Sequence, residues 1–359
     1  MAVQINTGGT FPASTEGQRP GLYVRFVEQA LASIGVGARS KVAILKSSIS
    51  GGTATVDKVY RITGTDQAKT LFGASNIKDI TNIFLGGASE VVVATISALA
   101  DSAALTAAFN KLETYEFHVF VTPQGASTLI ENSAFSWMKD CRLNGKNFVA
   151  VFASGTTEEG NVTATITKAN TFKDEYSVFV ANGVIDPDGV SVPADLYSQY
   201  IAGLIAGTSL DSSLTYFDVP YAETISRFRP IEIKDLLTAG VLVTVTDGDI
   251  PRIEQGLTLG SGKFSKIRTV RAKQAMIDDI DRSVKDNYIG QITNNADGQI
   301  AVINAIKAYL RTLADGDIID PVYAVTIDKT QASIGAEMYI SISVKFLDSI
   351  EYVYLTITV

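Results

Sequence analysis

Apolar and polar residues alternate one by one in the last part of the chain. One alternating run covers Met338 to Phe346, a second covers Ile350 to Val359, and Asp348 and Ser349 separate them. Period-2 alternation of β-branched and aromatic residues predicts strands. Because an unpaired strand with an apolar face is prone to aggregate, we expect the second strand to be paired, either in its own domain or on another subunit.

Upstream, strands and helices alternate from Lys41 to about Pro220. Glu90 to Ile96 is an almost continuous apolar run, which is typical of a strand covered on both faces. The other predicted strands are Lys41–Lys46, Phe117–Val121, Phe148–Phe152 and Ser177–Val180. The predicted helices are Asp66–Phe72, Ile77–Leu85, Asp101–Leu112, Ser127–Leu143 and Pro193–Ala206. This order predicts an α/β domain with a mostly parallel sheet.

The pattern changes from about Phe228. A helix at Ile231–Thr238 is followed by a strand at Val241–Val245, with which Ile250–Thr258 is expected to pair. Two amphipathic helices come next, with apolar stripes at Val270, Ile277, Ile280, Val284 and Tyr288, and at Ile300, Ile303, Ile306, Leu310 and Leu313. On the first helix the polar face is predicted to carry Asp278, Asp279, Asp281 and Asp286. Helices beside antiparallel strands predict an α+β domain.

The predicted fold class is therefore an α/β N-terminal domain plus an α+β C-terminal domain, with extended N- and C-terminal β arms. The predicted limits are 1–20 for the N-terminal arm, 21–227 for the α/β domain, 228–345 for the α+β domain and 346–359 for the C-terminal arm.

Composition excludes several function classes. The 359 residues are 46% hydrophobic and 19% charged, with a net charge of −8, which argues against nucleic acid as a partner. The first ten residues lack the pattern of a signal peptide, and no apolar run approaches the length of a membrane span. We therefore expect a protein made in the cytoplasm that does not insert into membranes.

No catalytic constellation is found in the sequence. With one cysteine, Cys141, and one histidine, His118, the usual zinc sites and a Ser-His-Asp triad are excluded. The glycine-rich run from Gly256 to Phe264 fails as a P-loop, because its glycines are six residues apart and Phe264 replaces the required hydroxyl. We predict no enzyme, cofactor or metal, with Cys141 buried on a helix and His118 in a core strand.

A local group of basic residues stands out in this acidic chain. No acidic residue lies between Glu254 and Asp278, and five basic residues lie within that interval: Lys263, Lys266, Arg268, Arg271 and Lys273. This basic island is either a solvated strand and helix start or a docking patch for an acidic protein surface.

Several segments, in this order, resemble the contractile-tail sheath proteins of phages and phage-derived particles. They are Arg19–Val24 after the N-terminal arm, Leu237–Val241 before the C-terminal domain, Arg268–Val270 at a helix start, Asn287–Gly290 with Asn294 and Asn295, and Ala305–Ile318. The region from Lys41 to Tyr221 is similar only in its layout, and the chain is compact beside the largest sheaths.

The resemblance implies hexameric rings stacked helically around a tail tube, with baseplate and tail terminator proteins as further partners. It implies an outer α/β domain, an inner α+β domain, and arms that add strands to sheets in neighbouring copies. We predict that these strands are carried by Val3, Ile5, Val353, Leu355 and Ile357. The basic island is predicted to contact the tube. The alternatives are another self-assembling protein, such as a capsid or surface-layer subunit, and, less favoured, an α/β enzyme with a pocket at the strand ends.

Overall fold

A computed structural model describes residues 39–47 and 49–358. The predicted N-terminal arm, with Val3 and Ile5, lies outside the described residues.

The largest element is a six-stranded sheet in the order β2-β3-β1-β4-β5-β6. Its strands are β1 (Lys41–Lys46), β2 (Val59–Ile62), β3 (Glu90–Thr95), β4 (Val119–Val121), β5 (Val149–Ala153) and β6 (Ser177–Val180). All neighbours are parallel except β2, which runs antiparallel to β3. Every residue of β3 and β5 is buried, so helices or loops cover both faces of the sheet.

The helices of this part pack on the sheet and on one another. They are α1 (Thr65–Phe72), α2 (Lys78–Leu85), α3 (Ser102–Glu113), α4 (Thr128–Leu143), α5 (Val162–Thr171) and α6 (Ala194–Gly207). Helix α6 is apolar around most of its circumference and packs against α2 and four strands of the sheet. Asp101, Ser127 and Asn161 cap α3, α4 and α5 by accepting hydrogen bonds from backbone amides.

The rest of the described chain holds short strands and longer helices. The strands are β7 (Val184–Ile185), β8 (Ser191–Val192), β9 (Glu223–Thr224), β10 (Thr244–Asp247), β11 (Ile250–Ile253), β12 (Ala324–Ile327) and β13 (Ile340–Ser343). The helices are α7 (Pro230–Thr238), α8 (Ile267–Asn287) and α9 (Ala296–Asp315). The pairs β10–β11 and β12–β13 are antiparallel. The fold is mixed α/β, as the sequence predicts.

The described residues form two hydrophobic cores. The large core includes the six-stranded sheet and reaches Ile267 and Val270, at the start of α8. The small core is formed by residues of α9, β12 and β13 and by Tyr288. The division between the cores falls within α8, because α7 and the β10–β11 pair pack on the large core. The predicted domain limits themselves stay a prediction.

Candidate assembly site

The C-terminal segment leaves the small core shortly after β13. The last backbone contacts with the small core are made by Lys345, whose carbonyl accepts a hydrogen bond from Asp320, and by Leu347, whose amide donates to Ile318. Phe346 forms an isolated bridge with Ile319 between these contacts. Strand pairing inside the described part of the chain therefore ends at Leu347.

Beyond that point the side chains are open to solvent. Val353, Leu355 and Ile357 are 72%, 82% and 81% exposed. We call Val353–Val359 the tail. The opposite face, which includes Tyr354, is exposed as well, and residues 350–358 pair with no strand in the part of the chain that the structure describes. The predicted second strand at Ile350 to Val359 is thus without a partner there, and its pairing with another subunit stays a prediction.

A group of side chains holds the chain just before the tail. We call residues 348–352 the arm root. The ammonium group of Lys266 lies 2.7 Å from Asp348 Oδ2 and 2.8 Å from Glu351 Oε2. Burial alone would lower the pKa of Lys266, but its contacts with the two carboxylates outweigh this and raise it. Thr215 donates a hydrogen bond to Glu351, and Gln255 donates one to Tyr352. The arm root is therefore attached to the body by several polar contacts.

The basic island does not form a continuous exposed patch. Lys263 is exposed, whereas the other four residues are buried or half-buried and bind partners inside the chain. Arg268 donates a hydrogen bond to the carbonyl of Asp317, and Lys273 lies 2.8 Å from Glu175 and 4.3 Å from the ring centroid of Phe264. The geometry leaves Lys263 as the member of the island available to a partner, and a contact with the tube stays a prediction.

Arg271 is fully inside the molecule, where it binds the end of α6. Its guanidinium donates hydrogen bonds to the carbonyls of Thr208, at 2.6 Å, and of Ser209. Cationic side chains near a helix C-terminus donate hydrogen bonds to its free carbonyls and interact favourably with the helix dipole. Burial and the charge of Arg39 lower the pKa of Arg271 to about 10. This arginine attaches α8 to the large core, a role that its place in a run of basic residues did not indicate.

A second buried contact joins α8 to the start of β1. Arg39 lies 2.5 Å from Asp279, with side chains 8% and 2% exposed, and Tyr309 of α9 donates a hydrogen bond to the same carboxylate at 2.7 Å. Arg39 also donates to the carbonyl of Ala275. Asp279, which is predicted on the polar face of this helix, is therefore buried, because a cation from a distant part of the sequence covers it. Asp281 and Asp286 are exposed, as predicted.

The lone cysteine and histidine are both buried, as predicted. Cys141 lies on α4, where burial and the nearby Glu113 raise the pKa of its thiol to about 12. His118 directly precedes β4 and is 6% exposed, and burial lowers its pKa to about 4. Both shifts favour the neutral form, which is typical of structural groups. Among the described residues, no group of His, Cys, Asp and Glu is arranged to hold a metal ion.

His118 makes a testable contribution to acid sensitivity. Its pKa of about 4 lies below the ordinary value of 6.5, so the unfolded state binds the proton more tightly. The contribution of His118 to the free energy of unfolding is therefore fully present above pH 6.5 and is lost as the pH falls towards 4. At pH 5 the loss is about 2 kcal/mol. We expect His118→Gln to lose less stability between pH 7 and pH 5 than the natural protein, as measured by urea unfolding.

Asp278 changes the stability with pH in the opposite direction, but its effect is the same in the natural protein and in His118→Gln. Burial raises the pKa of Asp278 to about 6, so its stabilising contribution is lost as the pH rises through that value. This change occurs in both proteins. An equal loss of stability in the natural protein and in His118→Gln would contradict the prediction.

Comparisons with known proteins all match one protein family. Residues 99–259 match the phage tail sheath protein central domain, and residues 261–359 match the phage tail sheath C-terminal domain. A tail sheath protein of Clostridium phage phiCD119 is 26% identical over 308 residues, which cover 81% of this chain and 80% of that protein.

Solved structures share the fold. The sheath tail protein from Desulfitobacterium hafniense has a TM-score of 0.71 at 16% identity, covering 91% of this chain and 100% of that chain. The helical sheath of the anti-feeding prophage in its contracted state has a TM-score of 0.75 at 14% identity, covering 94% of this chain and 98% of that chain. In the described residues, no helix has both the length and the apolar character needed to cross a membrane. Because the two matched domains are consecutive parts of one kind of protein and together cover most of the sequence, the chain belongs to the phage tail sheath protein family.

Proposed function

We propose that this chain is the structural subunit of a contractile tail sheath, which polymerises around a tail tube and contracts to drive the tube through a target envelope. The observation that carries the proposal is the tail. Its apolar face, Val353, Leu355 and Ile357, is exposed, although the residues just before it are held firmly on the body. An alternating strand that pairs with no strand in the described part of its own chain is suited to adding to a sheet in another copy.

Strand donation explains both affinity and assembly form. Main-chain hydrogen bonds give a donated strand its affinity, and alternate side chains give it specificity. A head-to-tail contact between identical subunits that does not close on itself generates a filament. The proposed form is a stack of hexameric rings, in which each copy gives its tail to a neighbour. The predicted N-terminal arm, with Val3 and Ile5, is proposed to make an equivalent exchange.

Contraction is proposed to occur by rigid-body rotation of subunits while the donated strands keep neighbours connected. The buried contacts of Arg271 with α6 and of Asp279 with Arg39 favour a body that rotates as one unit, because they fasten α8 to the large core. The relative in the contracted anti-feeding prophage sheath has the same fold, which supports this proposal. The energy for contraction would reside in metastable packing between subunits rather than in a nucleotide.

The proposed partners are other copies of the chain, the tail tube protein, and the baseplate and tail terminator proteins. An outer position is proposed for the α/β part and an inner position for the α+β part. For the tube contact, the exposed Lys263 is the proposed contact residue. The protein would be made in the cytoplasm of the bacterial host and incorporated into a phage tail or a tail-like particle.

Deleting Val353–Val359 tests the proposal, because it removes the tail and leaves the arm root in place. We expect loss of sheath-like tubes in negative-stain images, with little change in thermal unfolding of the subunit, since the side chains of residues 353–358 are exposed. Thr356→Pro should act in the same way, because proline removes a main-chain donor from the strand. Thr356→Val keeps that donor and serves as the matched control.

The negative-stain images also distinguish the proposed sheath subunit from the alternative functions. Normal tubes from the deletion variant would contradict strand donation by the tail. Sheets or closed shells from the natural protein would favour a surface-layer or capsid subunit, and uniform small particles at every concentration would favour the α/β enzyme.

A further inference from the structure

The arm root connects the tail to a fixed point at the start of α8. We infer that Lys266 is a positioning residue that fixes the direction in which the tail leaves the body, and with it the geometry in which a second copy receives the strand. The inference rests on the proposed strand donation, and it assigns to Lys266 a role different from the predicted contact with the tube.

Lys266 is held in place by the body. Its backbone forms a bridge with Leu257, and the amide of the next residue, Ile267, donates a hydrogen bond to Gly256 at 3.0 Å. Ile267 and Val270 are buried in the large core. The lysine side chain therefore projects from a backbone that cannot move without opening that core.

Glu351 is the arm-root residue that most needs this lysine. Its side chain is only 4% exposed, and a buried carboxylate without a charge partner is costly. Thr215 Oγ1 donates a hydrogen bond to Glu351 Oε1 at 2.8 Å and accepts one from the amide of Gly256 at 3.1 Å. Lys266 thus forms an ion pair with one oxygen of the carboxylate, and Thr215 donates a hydrogen bond to the other. These two contacts define the orientation of the side chain as well as its position.

The chain on either side of the arm root explains why the lysine controls direction. Leu347 is fixed by its backbone hydrogen bond to Ile318, and the side chains of residues 353–358 are exposed. Between these points Ile350 is itself exposed, so apolar packing does little to hold the segment. Without the charge contacts of Lys266, the arm root would retain mainly its hydrogen bonds from Thr215 and Gln255.

Fixing the tail before association favours assembly for an entropic reason. A strand that already points in the bound direction loses less conformational freedom when a second copy receives it. Release of the arm root should therefore weaken assembly without unfolding the body.

The direct test measures the tail in the unassembled subunit. Spin labels are placed at Lys234→Cys on α7 and Tyr354→Cys on the tail, both at exposed positions. Cys141 is buried and its thiol has a pKa of about 12, so it does not compete for the label. Pulsed EPR at a concentration below assembly is expected to give a narrow distance distribution, which Lys266→Met broadens about twofold as the arm root gains backbone freedom.

Two further variants make the result specific. Lys266→Arg keeps the charge and should keep the narrow distribution. Glu351→Gln keeps an acceptor for Thr215 but loses the charge, and should broaden it. Equal widths in the natural protein, Lys266→Met and Glu351→Gln would overturn the inference, as would a loss of circular dichroism signal in Lys266→Met, since it would show that the lysine supports the body itself.

Assembly gives the second readout. Lys266→Met is expected to raise the concentration needed for tube formation about tenfold, which corresponds to about 1.4 kcal/mol, while Lys266→Arg leaves it unchanged. An unchanged threshold in Lys266→Met would overturn the role in assembly. If the deletion of Val353–Val359 still forms tubes, strand donation fails, whereas the distance measurement still decides whether Lys266 directs the tail.

Discussion

Replacing Asp279 by alanine is expected to lower the free energy of unfolding by about 3–5 kcal/mol, because it removes one partner of a buried ion pair. Asp279 is 2% exposed and accepts from both Arg39 and Tyr309, so three distant segments meet at this carboxylate. Its removal leaves the guanidinium of Arg39 without that carboxylate, in a place where water replaces it poorly. Urea unfolding at pH 7 measures the loss.

The same helix provides a matched control for this prediction. Asp281 lies two residues further along α8, is exposed, and pairs with Lys285 at the surface. Asp281→Ala is expected to change the unfolding free energy by less than about 0.5 kcal/mol. The double variant Arg39→Met with Asp279→Leu should recover most of the stability, because apolar residues of similar volume can replace a buried pair. Similar losses for Asp279→Ala and Asp281→Ala would contradict the prediction.

The large sheet could be predicted from the sequence because its strands are short apolar runs. Strand β1 is observed with its predicted limits, Lys41–Lys46. Strand β3, predicted at Glu90–Ile96, ends one residue earlier, at Thr95. The sequence pattern does not predict the edge strand β2 or helix α5. Helix α5 contains four threonines and few large apolar residues, so its helical period is weak.

The candidate site was harder to predict, because its contacts join residues that are far apart in the sequence. The helical period correctly put Asp281 on a polar face, but it could not show that Arg39 would cover Asp279. The basic island was visible as a run of charges, whereas the partners of Lys266 and Arg271 lie at Glu351 and near the end of α6. Local patterns specify which residues are polar, and only the tertiary fold specifies which of them meet.

The close contact between α2 and α6 leads to the other large stability effect. A Cβ atom added at Gly203 would lie 2.0 Å from the carbonyl oxygen of Ile83 and 3.1 Å from Cα of Gly86. Both neighbours are backbone atoms of α2 or of the residue after it, so no side chain can rotate to make room. Because α6 is buried against the sheet on one side and against α2 on the other, a shift of either helix would disturb the large core.

We therefore expect Gly203→Ala to destabilise the protein by about 3 kcal/mol, even though alanine favours a helix by about 1 kcal/mol over glycine. The sign of the change in stability shows whether the steric clash or the helix propensity is larger, since propensity alone would make the variant more stable. Gly64→Ala is the matched control, because an added Cβ there has no atom within 4 Å. Its cost as an N-cap change should stay below about 1 kcal/mol. Thermal and urea unfolding of the two variants measure the difference, and a neutral or stabilising Gly203→Ala would show that α2 and α6 can separate without loss of core packing.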